Sequence, residues 1–219
     1  MKKKPNNALI QYYADRAFEY EKTYQRPERQ EDIALLHSIL KKLLKGHNVL
    51  EIACGTGYWT KTIASIANLV TATDINQEVL KIAKKKVFFS NNVSFIQDDS
   101  FYLSKIKGKF SAGFSGFWWS HILKSKLKTF LNIFHSKLQS DALVIFIDNL
   151  YTKDSSTPIS RIDNEGNTYQ IRALEDGRKY EIVKNFPKKN EFAPILGDNI
   201  KNLNVEFLTY FWITSYNII

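Results

Sequence analysis

The chain has 219 residues, a formal net charge of +9 and 44% hydrophobic residues. This length suits one α/β domain with an elaboration and is too short for two full domains, and the hydrophobic content argues against global disorder. The single cysteine, Cys54, excludes an internal disulfide, so we expect a reducing, cytoplasmic compartment. No run of about 18 apolar residues is present, so we expect no membrane span.

The positive charge is spread along the chain in short groups of lysines. Lys84–Lys86 and the alternating lysines of residues 124–128 fall on the polar sides of predicted helices or in turns. Neither a known RNA-binding motif nor a basic run interleaved with aromatic residues occurs. The pattern therefore favours a solvated surface over a nucleic-acid groove.

The most informative stretch is NVLEIACGTGYWT, residues 48–60. Val49–Ile52 predicts a short β-strand that ends in the turn Ala53–Gly57, and a helical pattern follows. A strand, a glycine turn and a helix in this order present free backbone N–H groups to a ligand. The next apolar run, Leu69–Thr73, ends in Asp74. A carboxylate at the tip of that strand can accept hydrogen bonds from a ribose diol.

Two ligands compete for this loop. A dinucleotide-binding loop, G-x-G-x-x-G, places a third glycine beside the pyrophosphate, but Thr60 occupies that position here. Glu51, which precedes the loop, would repel a pyrophosphate and suit a ligand with an ammonium group. Together with the glycines and Asp74, it favours S-adenosylmethionine, which carries ribose, adenine, a sulfonium and an amino acid end. The structural alternative is a glycine turn that only joins strand to helix.

The first 45 residues predict helices before the first strand. Residues 1–7 are typical of a frayed tail, and Ala8–Tyr24 is helix-like and rich in aromatic residues. Residues 28–45 carry apolar side chains at helical spacing. The first helix either packs on the domain or forms a lid over the cofactor. The lid residues that we expect near the cofactor are Tyr12, Arg16 and Tyr20.

Strands and helices then alternate as far as the fifth strand. Asn76 caps a helix that runs to about Lys86, and Val93–Ile96, Phe110–Phe114 and Asp141–Asp148 are the third, fourth and fifth strands. A helix connects the last two. This order predicts a doubly wound, mostly parallel sheet in an α/β fold.

The alternation stops after the fifth strand. Thr168–Leu174 and Arg178–Val183 flank Glu175-Asp176-Gly177 and predict a β-hairpin elaboration. Lys188–Leu203 is partly helical, and Val205–Ile218 closes the sheet as one long strand or a tight pair. We expect a single domain of four parts: N-terminal helices (1–45), a cofactor-binding core (46–148), the hairpin (149–187) and a C-terminal helix with the closing strand (188–219).

The stretch Tyr12–Asp148 resembles the class I S-adenosylmethionine-dependent methyltransferases. The likeness rests on VLEIACGTGYWT, TATDI, FIQDDSF, FSAGFSGFWWSHI and VIFID. It implies a Rossmann-like methyltransferase fold with a seven-stranded sheet whose last strand is antiparallel. A narrower resemblance to a bacterial small-molecule subgroup rests on YYADRAFEYEKTY and SSTPI…GNTYQ and assigns no substrate.

The family resemblance also implies a set of cofactor contacts. Gly55 and Gly57 would approach the cofactor backbone, Asp99 and Ser100 would meet the adenine, and Phe114–Phe117 would line the methionine portion. Glu51 would face the methionine end and Asp74 would hold the ribose hydroxyls. The full set of expected cofactor residues is Tyr12, Arg16, Tyr20, Glu51, Ala53, Gly55, Gly57, Asp74, Ile75, Asp99, Ser100, Phe114 and Phe117.

Two departures from related enzymes narrow the chemistry. Ser115–Trp118 stands where amine methyltransferases that act on adenine or glutamine carry N/D-P-P-Y, which disfavours that reaction. No cysteine follows the fourth or fifth strand, which disfavours methylation of cytosine C5 through a thiol adduct.

Methyl transfer from a sulfonium needs an aligned acceptor and, for a hydroxyl, a base. His121 is the best base because its usual pKa is about 6.5, although a structural histidine is the alternative. The catalytic candidates are His121, Asp148 and Tyr151. Trp118 and Trp119 could stack on a planar or cationic acceptor, or could pack in the core. The expected acceptor contacts are Trp118, Trp119 and Asn149, and no metal ligands are expected.

These patterns favour a methyltransferase that uses S-adenosylmethionine and acts on the oxygen or nitrogen of a small molecule. An RNA or protein methyltransferase that uses the basic surface is an alternative. A cofactor-binding protein without catalysis is another, and Glu51 and Thr60 argue against an NAD-dependent protein.

Overall fold

The computed structural model describes residues 7–88, 90–153 and 155–219. Residues 1–6, most of the predicted tail, lie outside this part of the chain. The described residues form a seven-stranded sheet of β1 Asn48–Ile52, β2 Leu69–Asp74, β3 Val93–Gln97, β4 Phe110–Gly116, β5 Leu138–Asn149, β9 Ile200–Phe207 and β10 Phe211–Ile218. The order of the strands in this sheet is β3-β2-β1-β4-β5-β10-β9.

The strand directions confirm a mostly parallel sheet. β1 pairs in parallel with β2 and β4, and β2 pairs with β3 and β4 with β5 in the same sense. β10 runs antiparallel to both β5 and β9, so the last strand is inserted between them. The C-terminal segment is therefore a tight pair, closed by a bond of 2.8 Å from Leu208 N to Phe211 O. This pairing answers the question that the sequence pattern left open.

Six α-helices surround the sheet within the described residues: α1 Asn7–Asp15, α2 Gln30–Leu43, α3 Tyr58–Ala64, α4 Gln77–Lys85, α5 Lys124–His135 and α6 Phe192–Leu196. Short 3-10 turns cover Tyr20–Gln25, Pro27–Arg29, Trp119–His121 and Lys189–Glu191. The Asn76 side chain accepts a bond of 2.9 Å from Glu78 N and caps α4, as the sequence predicts.

The expectation of one helix over residues 8–24 is wrong. α1 ends at Asp15, and a separate 3-10 turn follows at Tyr20–Gln25. Tyr24 in that turn is buried and stacks on Tyr58, with ring centroids 3.9 Å apart. This stacking fixes the direction of the turn, so tertiary packing outweighs the helical pattern.

Alternate side chains of each strand pack into two separate apolar clusters, one on each face of the sheet. Val49 packs on one face with Leu40 of α2, and Leu50 packs on the other with Phe130 of α5. All four side chains are fully buried. Helices therefore cover both faces, which is the arrangement that parallel strands require.

A second, three-stranded antiparallel sheet contains β6 Ile159–Ile162, β7 Thr168–Ala173 and β8 Lys179–Val183. The predicted hairpin is present as β7 and β8. All four residues of β6 are exposed, and its two isoleucines, Ile159 and Ile162, are three residues apart and do not follow the alternation of a half-buried strand. α1 packs on this sheet through a small cluster that includes Tyr12 and Ile182.

A membrane-crossing helix needs a long apolar run, and no helix in residues 7–88, 90–153 or 155–219 has one.

Candidate active site

A cavity of about 720 Å³, here called pocket A, lies where the carboxyl ends of β1 to β4 meet α1. Ligands of doubly wound sheets bind at this edge. Its walls are Leu9, Ile10, Tyr13, Tyr20, Ala53, Gly55, Thr73, Asp74, Ile75, Asn76, Val79, Asp98, Ser100, Gly116, Phe117, Trp118 and His121.

The loop after β1 brings bare backbone to pocket A. Ala53 and Gly55 adopt positive φ angles of 54° and 55°, which turn the chain sharply, and both residues line the pocket. Gly57, also expected at the cofactor, is not among the lining residues. Its φ is 77°, and a Cβ there would lie 3.2 Å from Cβ of Ala83 in α4. The glycine at 57 is thus required by helix packing.

The Asp74 carboxylate is held rigidly at the wall of pocket A. Its Oδ2 accepts a bond of 2.9 Å from Gly55 N, and its Oδ1 accepts one of 2.8 Å from Asn76 N. Burial raises the pKa of Asp74 to about 6, against the opposing effect of these two backbone donors. Each oxygen keeps a further lone pair, so the carboxylate can accept two hydroxyl groups of a ligand.

Glu51 lies beneath the loop, outside the wall of pocket A. Its side chain is 2% exposed, and Oε2 has no hydrogen-bond partner among the described residues. Burial, the largest cause, raises its pKa to about 8. The carboxyl group is therefore mostly protonated at neutral pH, and its expected role at the methionine end stays a prediction.

Tyr13 and His121 form a hydrogen-bonded pair at one end of pocket A. The Tyr13 hydroxyl lies 2.7 Å from Nε2 of His121, and Nδ1 of His121 lies 2.7 Å from the carbonyl oxygen of Val183. Burial, reinforced by the charge of Lys184, lowers the pKa of His121 to about 3. The imidazole is therefore neutral at physiological pH.

The carboxylate of Asp148, at the end of β5, is fully buried and bonded on both oxygens. Oδ1 accepts from Lys184 Nζ at 3.0 Å and from Asn149 N at 2.7 Å, and Oδ2 accepts from Ser120 N at 2.9 Å. The pKa of Asp148 is lowered, because the attraction of Lys184 and the other donors outweighs the effect of burial. These contacts make Asp148 a structural anchor and argue against its predicted role as a base.

A second cavity of about 690 Å³, here called pocket B, lies between the N-terminal segment and the small sheet. It shares Tyr13, Tyr20, Phe117 and His121 with pocket A. Its remaining walls are Tyr12, Arg16, Thr23, Tyr24, Arg26, Arg29, Asn149, Ser155, Ser156, Thr157, Gln170, Arg172, Ile182, Lys184 and Phe186. The two cavities therefore meet at a wall of three aromatic side chains and one imidazole.

The structure brings most of the predicted site residues to these two cavities. Those that line pocket A are Tyr20, Ala53, Gly55, Asp74, Ile75, Ser100, Phe117, Trp118 and His121. Those that line pocket B include Tyr12, Arg16 and Asn149.

Trp119 and Phe114 lie away from both cavities, contrary to the sequence-based expectation. Trp119 is 2% exposed and packs edge-on against Trp212, with ring centroids 5.8 Å apart. Phe114 is fully buried in the apolar cluster that contains Leu40 of α2. It lies within β4, before the strand ends at Gly116, so its side chain packs under a face of the sheet and lines neither cavity.

Tyr151 and Asp99 are also absent from the walls of pockets A and B. Tyr151 is 45% exposed, and its ring packs against that of Phe186. Asp99 accepts a bond of 2.9 Å from Phe101 N and closes the turn after β3. The neighbouring Asp98 and Ser100 line pocket A instead.

The sequence interpretation missed Tyr13 and most of the positive charge of pocket B. Four arginines line this cavity, yet they come from the N-terminal turns and from β7, which are far apart in the sequence. One available signal was the choice of arginine over lysine. The 31 basic residues include six arginines, and four of them meet here.

Across the described ranges, no three His, Cys, Asp or Glu side chains are grouped so that they could hold a metal ion.

Residues 49–141, which contain the loop and Asp74, match the family model described as a methyltransferase domain. The chain is 34% identical over 64 residues to the putative methyltransferase YqeM of Bacillus subtilis (strain 168). It is 35% identical over 66 residues to the ribosomal RNA small subunit methyltransferase A of Mesomycoplasma hyopneumoniae (strain 232). These matches cover 29% and 30% of the chain and only 26% and 25% of the two relatives.

Similarity to solved structures extends over almost the whole chain. A complex of DhpI with SAH is similar at 26% identity and a TM-score of 0.77, over 97% of this chain and 96% of that one. A DhpI-SAM-HEP complex is similar at 25% identity and a TM-score of 0.77, over 96% of each chain. The fold is also shared by an S-adenosylmethionine-dependent methyltransferase from Clostridium acetobutylicum ATCC 824. The identity to that protein is 19% and the TM-score is 0.62, over 94% of this chain and 98% of that one. Residues 49–141 thus match a methyltransferase domain, and the sheet order agrees with the similarity of almost the whole chain to the DhpI structures.

Proposed function

We propose that this protein transfers the methyl group of S-adenosylmethionine to an oxygen or nitrogen atom of a small molecule. The observation that carries the proposal is the junction of pocket A with pocket B through a shared wall. Pocket B is bounded by both the N-terminal segment and the small sheet. A polymeric acceptor would need a longer, open groove at this place.

The residues of pocket A fit the cofactor. Asp74 would accept the two ribose hydroxyls, and the backbone of Ala53 and Gly55 would lie against the nucleoside. Ile75 and Ser100 would contact the adenine, since both line the pocket beyond Asp74. The methionine end would then extend toward Phe117 and Trp118, near the shared wall. When bound, S-adenosylmethionine supplies an activated methyl group on a sulfonium.

The residues of the shared wall would align the acceptor. Its lone pair must approach the methyl carbon from the side opposite the sulfur, since the transfer is an in-line displacement. The carbon–sulfur bond breaks as the new bond to oxygen or nitrogen forms. For a hydroxyl acceptor, the proton must leave as the new bond forms, and His121 Nε2 is the candidate group at the shared wall to receive it. Tyr13 occupies the Nε2 lone pair and would have to give up its hydrogen bond to the acceptor. Because the pKa of His121 is lowered to about 3, the imidazole is a weak base, and its main contribution would be to position the acceptor.

A labelling experiment separates the acceptor classes. Protein with methyl-labelled S-adenosylmethionine is incubated with three fractions of a cell extract: small molecules, RNA and protein. We expect label in the small-molecule fraction. We also expect its loss in Asp74→Asn and its retention in Asp176→Asn, which changes an exposed turn carboxylate. Label only in RNA or protein, or in no fraction despite cofactor binding, would contradict the proposal.

A further inference from the structure

Pocket B has an unusual distribution of charge. Lysine supplies most of the positive charge of the chain, but four of its six arginines, Arg16, Arg26, Arg29 and Arg172, line this cavity. The other two, Arg161 and Arg178, form exposed ion pairs on the small sheet. Arginine is concentrated where a planar, multidentate cation would face a ligand.

Three of these arginines have only neutral partners. Within the part of the chain that the structure describes, no carboxylate lies within salt-bridge distance of Arg16, Arg29 or Arg172. Arg16 donates to Thr23 Oγ1 at 2.7 Å and Arg172 to Thr157 Oγ1 at 2.8 Å.

Arg29 is the most deeply placed of the three. It is 7% exposed, donates to Ser155 Oγ at 3.1 Å and lies over the rings of Tyr210 and Phe211. Its Nε, like that of Arg172, is buried without a partner among the described residues. Any contact of these two arginines with a ligand in pocket B would therefore use their terminal nitrogens.

Among residues 7–88, 90–153 and 155–219, the acidic groups near pocket B do not balance this charge. Asp148 is paired with Lys184 at 3.0 Å, so these two residues cancel each other. Glu28 lies 3.9 Å from Arg26, the most exposed of the four arginines. Burial lowers the pKa of Arg172, and the nearby charges of Arg16 and Arg26 lower it further. Several cations share a poorly solvated space, which is costly unless an anion joins them.

We propose that pocket B binds an anionic group of the methyl acceptor, either a carboxylate or a phosphoryl group. This inference rests on the proposed function, because it names the substrate class of the same site. Guanidinium forks match both anions in geometry and form charge-assisted hydrogen bonds with them. Arg16, Arg29 and Arg172 hold the anion, and Thr23, Thr157 and Ser155 orient their guanidinium groups.

The position of the anion also orients the acceptor. Tyr13, Tyr20, Phe117 and His121 separate the arginines from pocket A, so the acceptor lies with its charged group in pocket B and its reacting atom at the shared wall. A neutral molecule of the same shape leaves the guanidinium groups without a counter-charge. The enzyme should therefore prefer an acid over its neutral amide as the methyl acceptor.

The test is calorimetric titration of the protein, loaded with S-adenosylhomocysteine, with acetate and with inorganic phosphate in separate arms. We expect binding of at least one of the two anions at one per chain. Arg29→Gln and Arg172→Gln should each weaken it by about tenfold or more, as expected when one partner of a buried charge pair is removed. The control Arg161→Gln, in an exposed pair with Glu181, should bind like the wild type. No binding of either anion, or unchanged binding in both variants, would overturn the inference.

A second measurement keeps this inference separate from the proposed function. S-adenosylhomocysteine affinity is determined for every variant, and its retention shows that the protein is folded with pocket A intact. Small acids and their neutral amides are then compared as methyl acceptors. Preference for the acid by about tenfold or more supports the inference. Equal methylation of the acid and the amide refutes the inference and leaves methyl transfer established. Absence of cofactor binding by the wild-type protein refutes the proposed function instead.

Discussion

The hydroxyl of Tyr13 lies 2.7 Å from Nε2 of His121, which is 108 residues further along the chain. The other imidazole nitrogen, Nδ1, lies 2.7 Å from the Val183 carbonyl oxygen, which can only accept a hydrogen bond. Nδ1 therefore carries the proton, and Nε2 accepts from Tyr13. This pair connects α1, the turn after β4 and β8 at the wall between pockets A and B.

This pair leads to a prediction about turnover. Tyr13→Phe and His121→Gln should each lower kcat by about tenfold to a hundredfold, since both remove a group that would position or deprotonate the acceptor. The affinity for S-adenosylhomocysteine should change little. The double variant should be less impaired than the product of the single effects, because the two side chains act through one hydrogen bond. Fully active single variants, or effects that multiply independently, would remove the pair from the mechanism.

Asp74 provides a prediction about cofactor affinity. Asp74→Asn should weaken binding of S-adenosylmethionine by about 1.5–3 kcal/mol, as expected for weaker hydrogen bonds to a group that is no longer charged. Since the pKa of Asp74 is about 6, the wild-type affinity should also fall as the pH drops below that value. Calorimetry between pH 5 and pH 8 measures both effects. A variant with wild-type affinity would show that the ribose is held elsewhere.

The buried ion pair between Lys184 and Asp148 predicts a large effect on stability. Lys184→Met should reduce the free energy of unfolding by about 3–5 kcal/mol, because it leaves a buried carboxylate without its cation. Its matched control is Lys201→Met, in the exposed pair with Asp141, where the loss should be below about 1 kcal/mol. Denaturant unfolding followed by circular dichroism compares them. Equal losses in the two variants would show that the buried pair is not energetically special.

Glu51 predicts how stability depends on pH. The pKa of Glu51 is about 8 in the folded protein, against an ordinary value of 4.5. Between pH 4.5 and pH 8, the folded state therefore keeps the carboxyl proton that the unfolded state has lost. The stabilisation from this group is complete below pH 4.5 and disappears as the pH rises toward 8. The slope is at most about 1.4 kcal/mol per pH unit.

Glu51→Gln isolates that contribution, because glutamine does not titrate. Unfolding free energies of both proteins at pH 5, 6, 7 and 8 should diverge, with the wild type losing more stability as the pH rises. Parallel curves would show that Glu51 titrates normally in the folded state.

The central strands and the position of Asp74 could be predicted because their signals are local. Val49–Ile52 and Leu69–Asp74 are short apolar runs that end in a glycine turn or an acidic residue, and the structure has strands at both places. The alternation predicted a doubly wound sheet, and the family resemblance implied seven strands with an antiparallel last strand; the structure has both. Whether Asp74 holds the ribose stays a prediction.

The orientation of side chains beyond β4 could not be predicted, because it depends on one unusual backbone angle. Phe117 has a φ of 61°, and the 3-10 turn Trp119–His121 follows. This turn directs Trp118 toward pocket A and Trp119 into the core. No local pattern separates two adjacent tryptophans in this way.

Pocket B was not predicted because its walls come from distant parts of the chain. Arg29 lies before α2 and Arg172 lies in β7, and only the packing of the small sheet against α1 brings them together. β6 was missed for a related reason, since its four residues are exposed. When tertiary contacts bring charged residues together, the sequence shows only their composition, here the use of arginine in place of lysine.

Side-by-side calorimetric titration of the wild-type protein with S-adenosylhomocysteine and with NAD distinguishes a methyl-donor site from a dinucleotide site. We expect binding of one S-adenosylhomocysteine per chain and much weaker or no binding of NAD, because Asp74 and the loop at Ala53–Gly55 form a nucleoside site without the third glycine of a dinucleotide loop. A preference for NAD, or no binding of S-adenosylhomocysteine, would contradict it.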